Sequence, residues 1–272
     1  MQYDPIKKSV GRFFSGPLVM RKILYALLDL LLLRAWHVKK ALKKISRQIP
    51  DQATVLDAGS GFGQYTWRMS RMRGGWNINA IDIDSQHVND CSRFFQKAGL
   101  SGRVNFSTGD LTNLSDADAF NLILSVDVME HILEDRKVFQ NFFAALKNNG
   151  ILLISTPSDK GGSDVHDDDE ESFIDEHVRD GYSIQDITEK LSEAGFKKID
   201  ASYTYGKPGN ISWRLSMKYP IKMLNLSKLF FIVLPFYYLI CFPISVILNF
   251  MDLLFTHKTG TGLIVIARKE IQ

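Results

Sequence analysis

The sequence predicts an α/β fold: a doubly wound, mostly parallel seven-stranded sheet, with helices preceding it and a hydrophobic helical insertion before its last strand. Three observations predict it. From residue 54 onward, short apolar runs alternate with helix-length amphipathic segments about every 20 to 30 residues, the rhythm of parallel strands joined by crossover helices. The run FNLILSV at 120–126 is apolar nearly throughout, as a strand covered on both faces must be. A glycine-rich turn, GSGFG at 59–63, carries the first strand into its helix.

The elements follow in order. Residues 17–47 read as one helix. Leu24, Leu27, Leu28, Leu31 and Leu42 recur at helical spacing, while Lys39, Lys40, Lys43, Lys44 and Arg47 crowd its later turns. Pro50 ends it. Strands are expected at 54–56, 78–81, 104–106, 120–126, 151–155, 198–203 and 263–267. Helices are expected at 64–72, 85–97 and 135–146, with Asn148-Asn149-Gly150 as the turn before the fifth strand. Ser183-x-x-Asp186 opens a further helix in capping-box style, and Gly195 closes it. About 55 residues then separate the sixth strand from the seventh, more than the sheet needs.

The chain has 272 residues and a net charge of +3, which conceals a strong segregation. Residues 1–50 hold 11 Lys and Arg against 2 acids, 51–205 hold 14 against 26, and 206–260 hold 6 against 1. Basic, apolar flanks around an acidic middle suit an anionic membrane surface; no nucleic-acid motif accompanies them. Two cysteines, Cys91 and Cys241, exclude a disulfide framework and a zinc site and fit a reducing, cytoplasmic compartment. No signal peptide is expected, because the apolar stretch at 23–33 contains Asp29 and no small-residue cleavage site follows. The organisation is therefore a basic amphipathic helical segment (1–50), a ligand-binding core (51–205), a hydrophobic insertion flanked by basic residues (206–260) and the last strand of the core (261–272). Composition leaves the oligomeric state open.

Within the insertion, residues 229–251 carry no charge. A straight helix of that length would cross a bilayer's hydrocarbon core of about 30 Å. The flanking strands belong to one sheet, however, so the chain must return to the side it left. Pro235 and Pro243 are expected to break the run into shorter helices, and Lys218, Lys222, Lys228 and Lys258 bracket it. The expectation is helices lying in the interface of the membrane's inner face, or a shallow re-entrant hairpin. A soluble cap or a subunit contact is the alternative.

The chemistry concentrates at the carboxyl ends of the strands. Asp57 ends the first strand and Gly59, Gly61 and Gly63 follow it, so the backbone can turn tightly and approach a ligand near free helix N–H groups. A carboxylate there suits an ammonium, and the helix N–H groups suit a carboxylate, which together describe the end of an amino acid. The rival is the dinucleotide pattern G-x-G-x-x-G, but its third glycine would fall on Gln64. Asp82 ends the second strand about 20 residues on, where an acid accepts the ribose hydroxyls of a nucleoside, and Ile83 follows it; nicotinamide dinucleotides share this feature. Asp110 and Leu111, after the third strand, can meet a purine's amino group and ring.

Six stretches, VLDAGSGFG, INAIDID, STGDL, FNLILSVDVMEHI, LKNNGILLISTPS and a late helix ending EAGF, together resemble the class I S-adenosylmethionine-dependent methyltransferases. The match is to the broad group that includes ubiquinone and menaquinone biosynthesis enzymes (methyltransferase type 11). The resemblance implies a Rossmann-like core and S-adenosylmethionine as cofactor. It implies that Asp57, Gly59, Gly61 and Gly63 hold the methionine end, Asp82 and Ile83 the ribose side, and Asp110 and Leu111 the adenine, with Ser125 and Asp127 lining the pocket near the sulfonium. Glu130 and His131 are the candidate general bases; His166 and His177 read as surface residues, and the acidic run 167–171 as solvated, so no metal is expected. The expected acceptor is a small or lipid-like molecule presenting an O, N or C nucleophile. The alternatives are a membrane-associated cofactor-binding protein without catalysis and a nicotinamide-dependent oxidoreductase.

Overall fold

Two basic-flanked helices, α1 (Leu18–Leu31) and α2 (Leu33–Ile45), lead into a seven-stranded sheet in this computed structural model, which describes residues 17–161, 178–227 and 229–270. His166, His177, the acidic run 167–171 and Lys228 lie outside the described residues. The strands are β1 (Thr54–Ala58), β2 (Asn77–Asp82), β3 (Val104–Thr108), β4 (Phe120–Val126), β5 (Leu146–Pro157), β6 (Lys198–Thr204) and β7 (Gly262–Arg268). Between them run α3 (Gln64–Met72), α4 (Ser85–Lys97), α5 (Asp135–Ala145) and α6 (Ile184–Glu193). The order across the sheet is β3-β2-β1-β4-β5-β7-β6, with β7 antiparallel to both neighbours and pairs from β3 to β5 parallel. The strand order reverses between β1 and β4, which opens the crevice where doubly wound sheets bind ligands.

Alternation along each strand divides the core into two layers. Leu56, Ile123, Leu152 and Ile154 face α5 and α6 with Val138, Phe139, Phe142 and Leu191. Val55, Leu122, Leu124 and Leu153 face the other way, against Val38, Leu42 and Ile45 of α2, Met69 of α3 and Phe95 of α4. Asp84 caps α4, accepting the Gln86 N–H at 2.7 Å, and Ser183 caps α6, accepting the Asp186 N–H at 3.0 Å.

Three expectations need correction. Residues 17–47 form two helices, because Leu32 adopts an extended backbone (φ −89°, ψ 111°) that swings α2 onto the sheet. Asn148-Asn149-Gly150 does not interrupt the chain; it lies inside β5 as an irregularity against β4, with Asn149 in left-handed backbone (φ 63°). The proline argument also fails. Residues Phe230–Leu254 form one continuous helix, α9, with Pro235 and Pro243 inside it. It is held from outside: α7 (Lys207–Trp213), a π-type turn (Arg214–Lys218) and α8 (Tyr219–Leu226) run beside it. The Tyr237 and Tyr238 hydroxyls, between the two prolines, donate to the carbonyls of Leu215 and Ser216 at 2.7 and 2.8 Å. Each proline removes one helix donor, and these cross-links hold the helix in register regardless.

The insertion is tied to the core at its base. Asp252, fully buried near the end of α9, accepts the N–H groups of Tyr205 (3.1 Å) and Gly209 (3.0 Å) and lies 2.9 Å from His37 Nε2 on α2. His257 Nε2 is 3.2 Å from its other oxygen. Beyond that base α9 is largely uncovered, with 6% of its most apolar window buried, so it is not a core helix. Leu229, Ile232, Phe236, Leu239 and Ile240 are exposed, as are Val19, Ile23 and Leu27 of α1.

Candidate active site

The parallel register brings Asp57, Asp82, Asp110 and Asp127 to one edge of the sheet. Asp57 is buried, and the Thr66 hydroxyl donates to it at 2.5 Å. Burial, reinforced by the nearby Asp82 charge and opposed by Thr66, pushes the Asp57 carboxyl up to about 7. The loop after it is fastened to the second strand: the N–H groups of Gly59 and Ser60 both donate to the Ile81 carbonyl, at 2.8 and 2.9 Å. Gly59 has φ 81°, and a Cβ there would come within 2.2 Å of the Val128 side chain. Gly61 (φ 48°) would point its Cβ into open space. One glycine is needed for packing and the other leaves room at the mouth of the crevice.

Asp82 gathers the neighbouring backbone. Its Oδ2 accepts the Gly61 N–H at 2.6 Å and its Oδ1 the Asp84 N–H at 2.9 Å, while the His87 ring lies 3.9 Å away. Burial raises this carboxyl, and His87 with the two N–H groups outweighs it, leaving Asp82 below the usual carboxylate range. It is therefore an ionised acceptor. Ile83 beside it is 77% exposed, an apolar surface at the same rim. Asp110 is exposed and accepts the Thr112 N–H at 2.8 Å, which holds its pKa down; Leu111 is buried behind it.

Ser125 is fully buried near the end of β4, and neither its hydroxyl nor that of Ser60 in the glycine loop meets a partner. Buried hydroxyls without partners are costly, on the order of 1–3 kcal/mol. One in the glycine loop and one near the carboxyl end of β4 fit a polar ligand at this edge of the sheet, such as a nucleoside attached to an amino acid.

Asp127 has left-handed backbone (φ 51°) and pairs with Arg34 of α2. The pair borders a cavity of about 370 Å³, walled by Ser155, Thr156 and Pro157 of β5, Lys160, Tyr205, Thr261 and residues of α7 including Trp213. Among the described residues that line it, neither Glu130 nor His131 appears. Glu130 is buried and accepts the Thr156 hydroxyl at 3.0 Å, and burial raises its pKa. His131, next in sequence, is exposed.

Sequence reasoning missed the role of α1. Arg21 and Tyr25 are buried on it, and both donate to the Phe62 carbonyl of the glycine loop, at 2.9 and 2.5 Å. Arg21 also pairs with Asp90 at 2.8 Å, and Asp29 with Arg68. The basic segment is thus partly a clamp on the loop. A cation in line with Leu24, Tyr25 and Leu28 on the apolar stripe was the available signal.

Residues 49–199 match the family described as methyltransferase domain. The chain belongs to that family. S-adenosylmethionine is accordingly its cofactor. Among curated relatives, it is 26% identical over 122 residues to the ubiquinone biosynthesis O-methyltransferase of Rickettsia prowazekii, covering 44% of this chain and 47% of that protein. To phosphoethanolamine N-methyltransferase 1 of Triticum aestivum it is 30% identical over 152 residues, covering 54% of this chain and 29% of the relative. The chain therefore matches less than half the length of these relatives. Among solved structures, phosphoethanolamine N-methyltransferase 2 of Haemonchus contortus, in complex with S-adenosyl-L-methionine, superposes with a TM-score of 0.61 at 18% identity, covering 87% of this methyltransferase-family chain and 53% of that one. That likeness is one of fold.

Proposed function

We propose that this protein moves a methyl group from S-adenosylmethionine to an amphiphilic, lipid-like acceptor while lying on the inner face of a membrane. When bound, the cofactor supplies an electrophilic methyl group on a sulfonium. The chain's own residues bind and orient. Asp57 takes the ammonium of the methionine end and the glycine-loop N–H groups its carboxylate. Asp82 accepts the ribose hydroxyls, Ile83 and Leu111 flank the adenine, and Asp110 takes its amino group. Ser125 and Asp127 border the reacting end, with the Arg34-lined cavity for the acceptor beyond them. Holding a nucleophile in line can supply roughly 7–11 kcal/mol of the barrier. A base is needed only for a nucleophile that must lose a proton. For such an acceptor, Glu130 acts through Thr156 on the cavity wall.

The observation that carries the acceptor class is the exposed apolar face of α9, which packs on the α7 helix that lines the cavity. Asn210, Trp213 and Arg214 line the cavity from the helical hairpin that α9 completes. Lys39, Lys43 and Lys44 are exposed on α2 and Arg47 in the turn after it, where each contributes about 1 kcal/mol at an anionic surface. The names of the relatives, a quinone-pathway enzyme and a phosphoethanolamine enzyme, support small polar heads as acceptors. The test incubates the protein with methyl-labelled S-adenosylmethionine and total lipid extract, and floats it with anionic liposomes. Label in a lipid fraction and co-flotation are expected. Protein left in the soluble fraction refutes the membrane reading, and label confined to water-soluble metabolites refutes the lipid acceptor.

A further inference from the structure

Helix α9 is turned inside out relative to a helix that faces water. Every exposed residue along it is apolar, from Phe231 and Ile232 through Phe236 and Ile247 to Leu254. Of its four buried residues, Leu234, Ser245, Asn249 and Asp252, three are polar. A surface helix in water shows the reverse pattern. Further polar groups turn toward the α7–α8 arm beside it. The Ser245 carbonyl accepts the Ser212 hydroxyl at 3.0 Å, and the Tyr237 and Tyr238 hydroxyls reach the carbonyls of Leu215 and Ser216. Polar groups gathered between helices, with apolar side chains outward, are the arrangement of helices solvated by lipid.

The exposed positions of α9 cover more than half of its circumference at 3.6 residues per turn. One packed helix covers a stripe of roughly 100°, so a protein partner would have to wrap around α9, whereas hydrocarbon covers every free side at once. The arm differs. Arg214, Lys218 and Lys222 follow one another at four-residue spacing through the π-type turn and α8, a line of cations about 12 Å long. If the hairpin stood upright in a bilayer, that line would run down through the hydrocarbon, where charged side chains are costly. Lying flat keeps it at the level of the headgroups.

We propose that α9 is sunk into the hydrocarbon of a single leaflet, parallel to the membrane plane, with the α7–α8 arm above it at headgroup level. The inference rests on the membrane reading proposed above and assigns the element, the depth and the orientation. Because Asn210, Trp213 and Arg214 of that arm line the cavity, the cavity is held at headgroup level too, and a lipid-like acceptor reaches it without leaving the leaflet.

The test uses the full chain with liposomes of phosphatidylcholine and phosphatidylglycerol. In a Cys241→Ser background, a fluorophore is attached to Phe236→Cys, Ile247→Cys or, on the arm, Asn225→Cys, and quenched by bromine atoms on the acyl chains. Positions 236 and 247 lie on the same side of α9, about 16 Å apart along its axis. Equal quenching at these two, with little at 225, is expected. Flotation should persist in about 1 M salt, where charges are screened beyond ~3 Å. The double variant Leu239→Asp/Ile240→Asp should lose at least about tenfold in liposome affinity, while its affinity for S-adenosylmethionine in lipid-free buffer stays that of the wild type. Deep quenching at one of the two α9 positions and none at the other means an upright hairpin and overturns the inference. Flotation that is lost in high salt, with both positions unquenched, overturns it while leaving the membrane reading intact. Failure to float even in low salt refutes the membrane reading itself. A lipid-free dimer that shields both positions from aqueous iodide would put a second copy of the chain on α9, which also overturns the inference.

Discussion

Lowering the pH from about 7 to about 5.5 should weaken cofactor binding, because Asp57 titrates in that window. Its carboxyl is pushed up from 3.8 to about 7 by burial, and the methionine ammonium binds the ionised form. The sign is opposite to that of an ordinary paired aspartate. The folded chain holds this proton more tightly than the unfolded one, so stability is highest below pH 4 on this account and falls as pH rises to 7. That displacement corresponds to on the order of 4 kcal/mol as an upper bound. The binding cation then finds a carboxylate that is half ionised at pH 7 and about 3% ionised at pH 5.5, a loss of roughly fifteenfold, or about 1.6 kcal/mol. Calorimetry in two buffers of different ionisation enthalpy would read both the affinity and a released proton. Asp57→Asn should bind weakly, with no acid limb in its profile, and should be the more stable protein at neutral pH. A wild-type affinity that is flat from pH 5.5 to 7, or an identical slope in the Asn variant, would refute the assignment of Asp57 to the ammonium.

Further outcomes follow from other residues. Asp82→Ala should weaken S-adenosylmethionine binding by at least about tenfold, since it removes an ionised acceptor worth roughly 1.5–3 kcal/mol per hydrogen bond and also releases the Gly61 N–H; equilibrium binding to the folded variant measures it. Gly61→Val should abolish cofactor binding, because its side chain fills the open space at the crevice mouth and is strained in the left-handed backbone there (φ 48°); circular dichroism checks that the sheet persists, and normal binding would show the loop to be only a turn. Arg21→Ala should lower unfolding stability by about 3 kcal/mol, as it takes the 2.8 Å partner from a partly buried Asp90 and leaves Tyr25 alone to hold the Phe62 carbonyl. Denaturant titration tests that loss, and weakened cofactor binding should accompany it. Asp252→Ala should cost about 3 kcal/mol through the unpaired Tyr205 and Gly209 N–H groups, seen as a lower Tm.

The sheet was legible because its signals are local. Apolar runs, a cap at Ser183 and glycines at 59–63 are readable within a few residues, and all seven strands lie where those runs fall. Their carboxyl ends then place Asp57, Asp82 and Asp110 on one edge by topology alone. What escaped depends on contacts distant in sequence. The Arg34 pair with Asp127 joins residues 93 positions apart, and Asp252 answers His37 from 215 positions away; neither partner differs in spacing from a solvated charge. The prolines misled for the same reason. Helix propensity speaks for an isolated segment, and α9 is held by tyrosines that reach a different helix.

Thr204 pairs with Gly262, and there the β6–β7 ladder ends. Everything between those two residues is, in terms of connectivity, one very long hairpin loop. Closing a loop costs only slowly more as it lengthens, so a sheet that tolerates this insertion would also tolerate a different one, or a plain turn. The scaffold can therefore be reprogrammed by exchanging what hangs from one strand pair, leaving cofactor chemistry untouched. Asp252 marks the limit of that freedom: it must be exchanged together with His37, or the graft leaves the imidazole unsatisfied beneath the pocket.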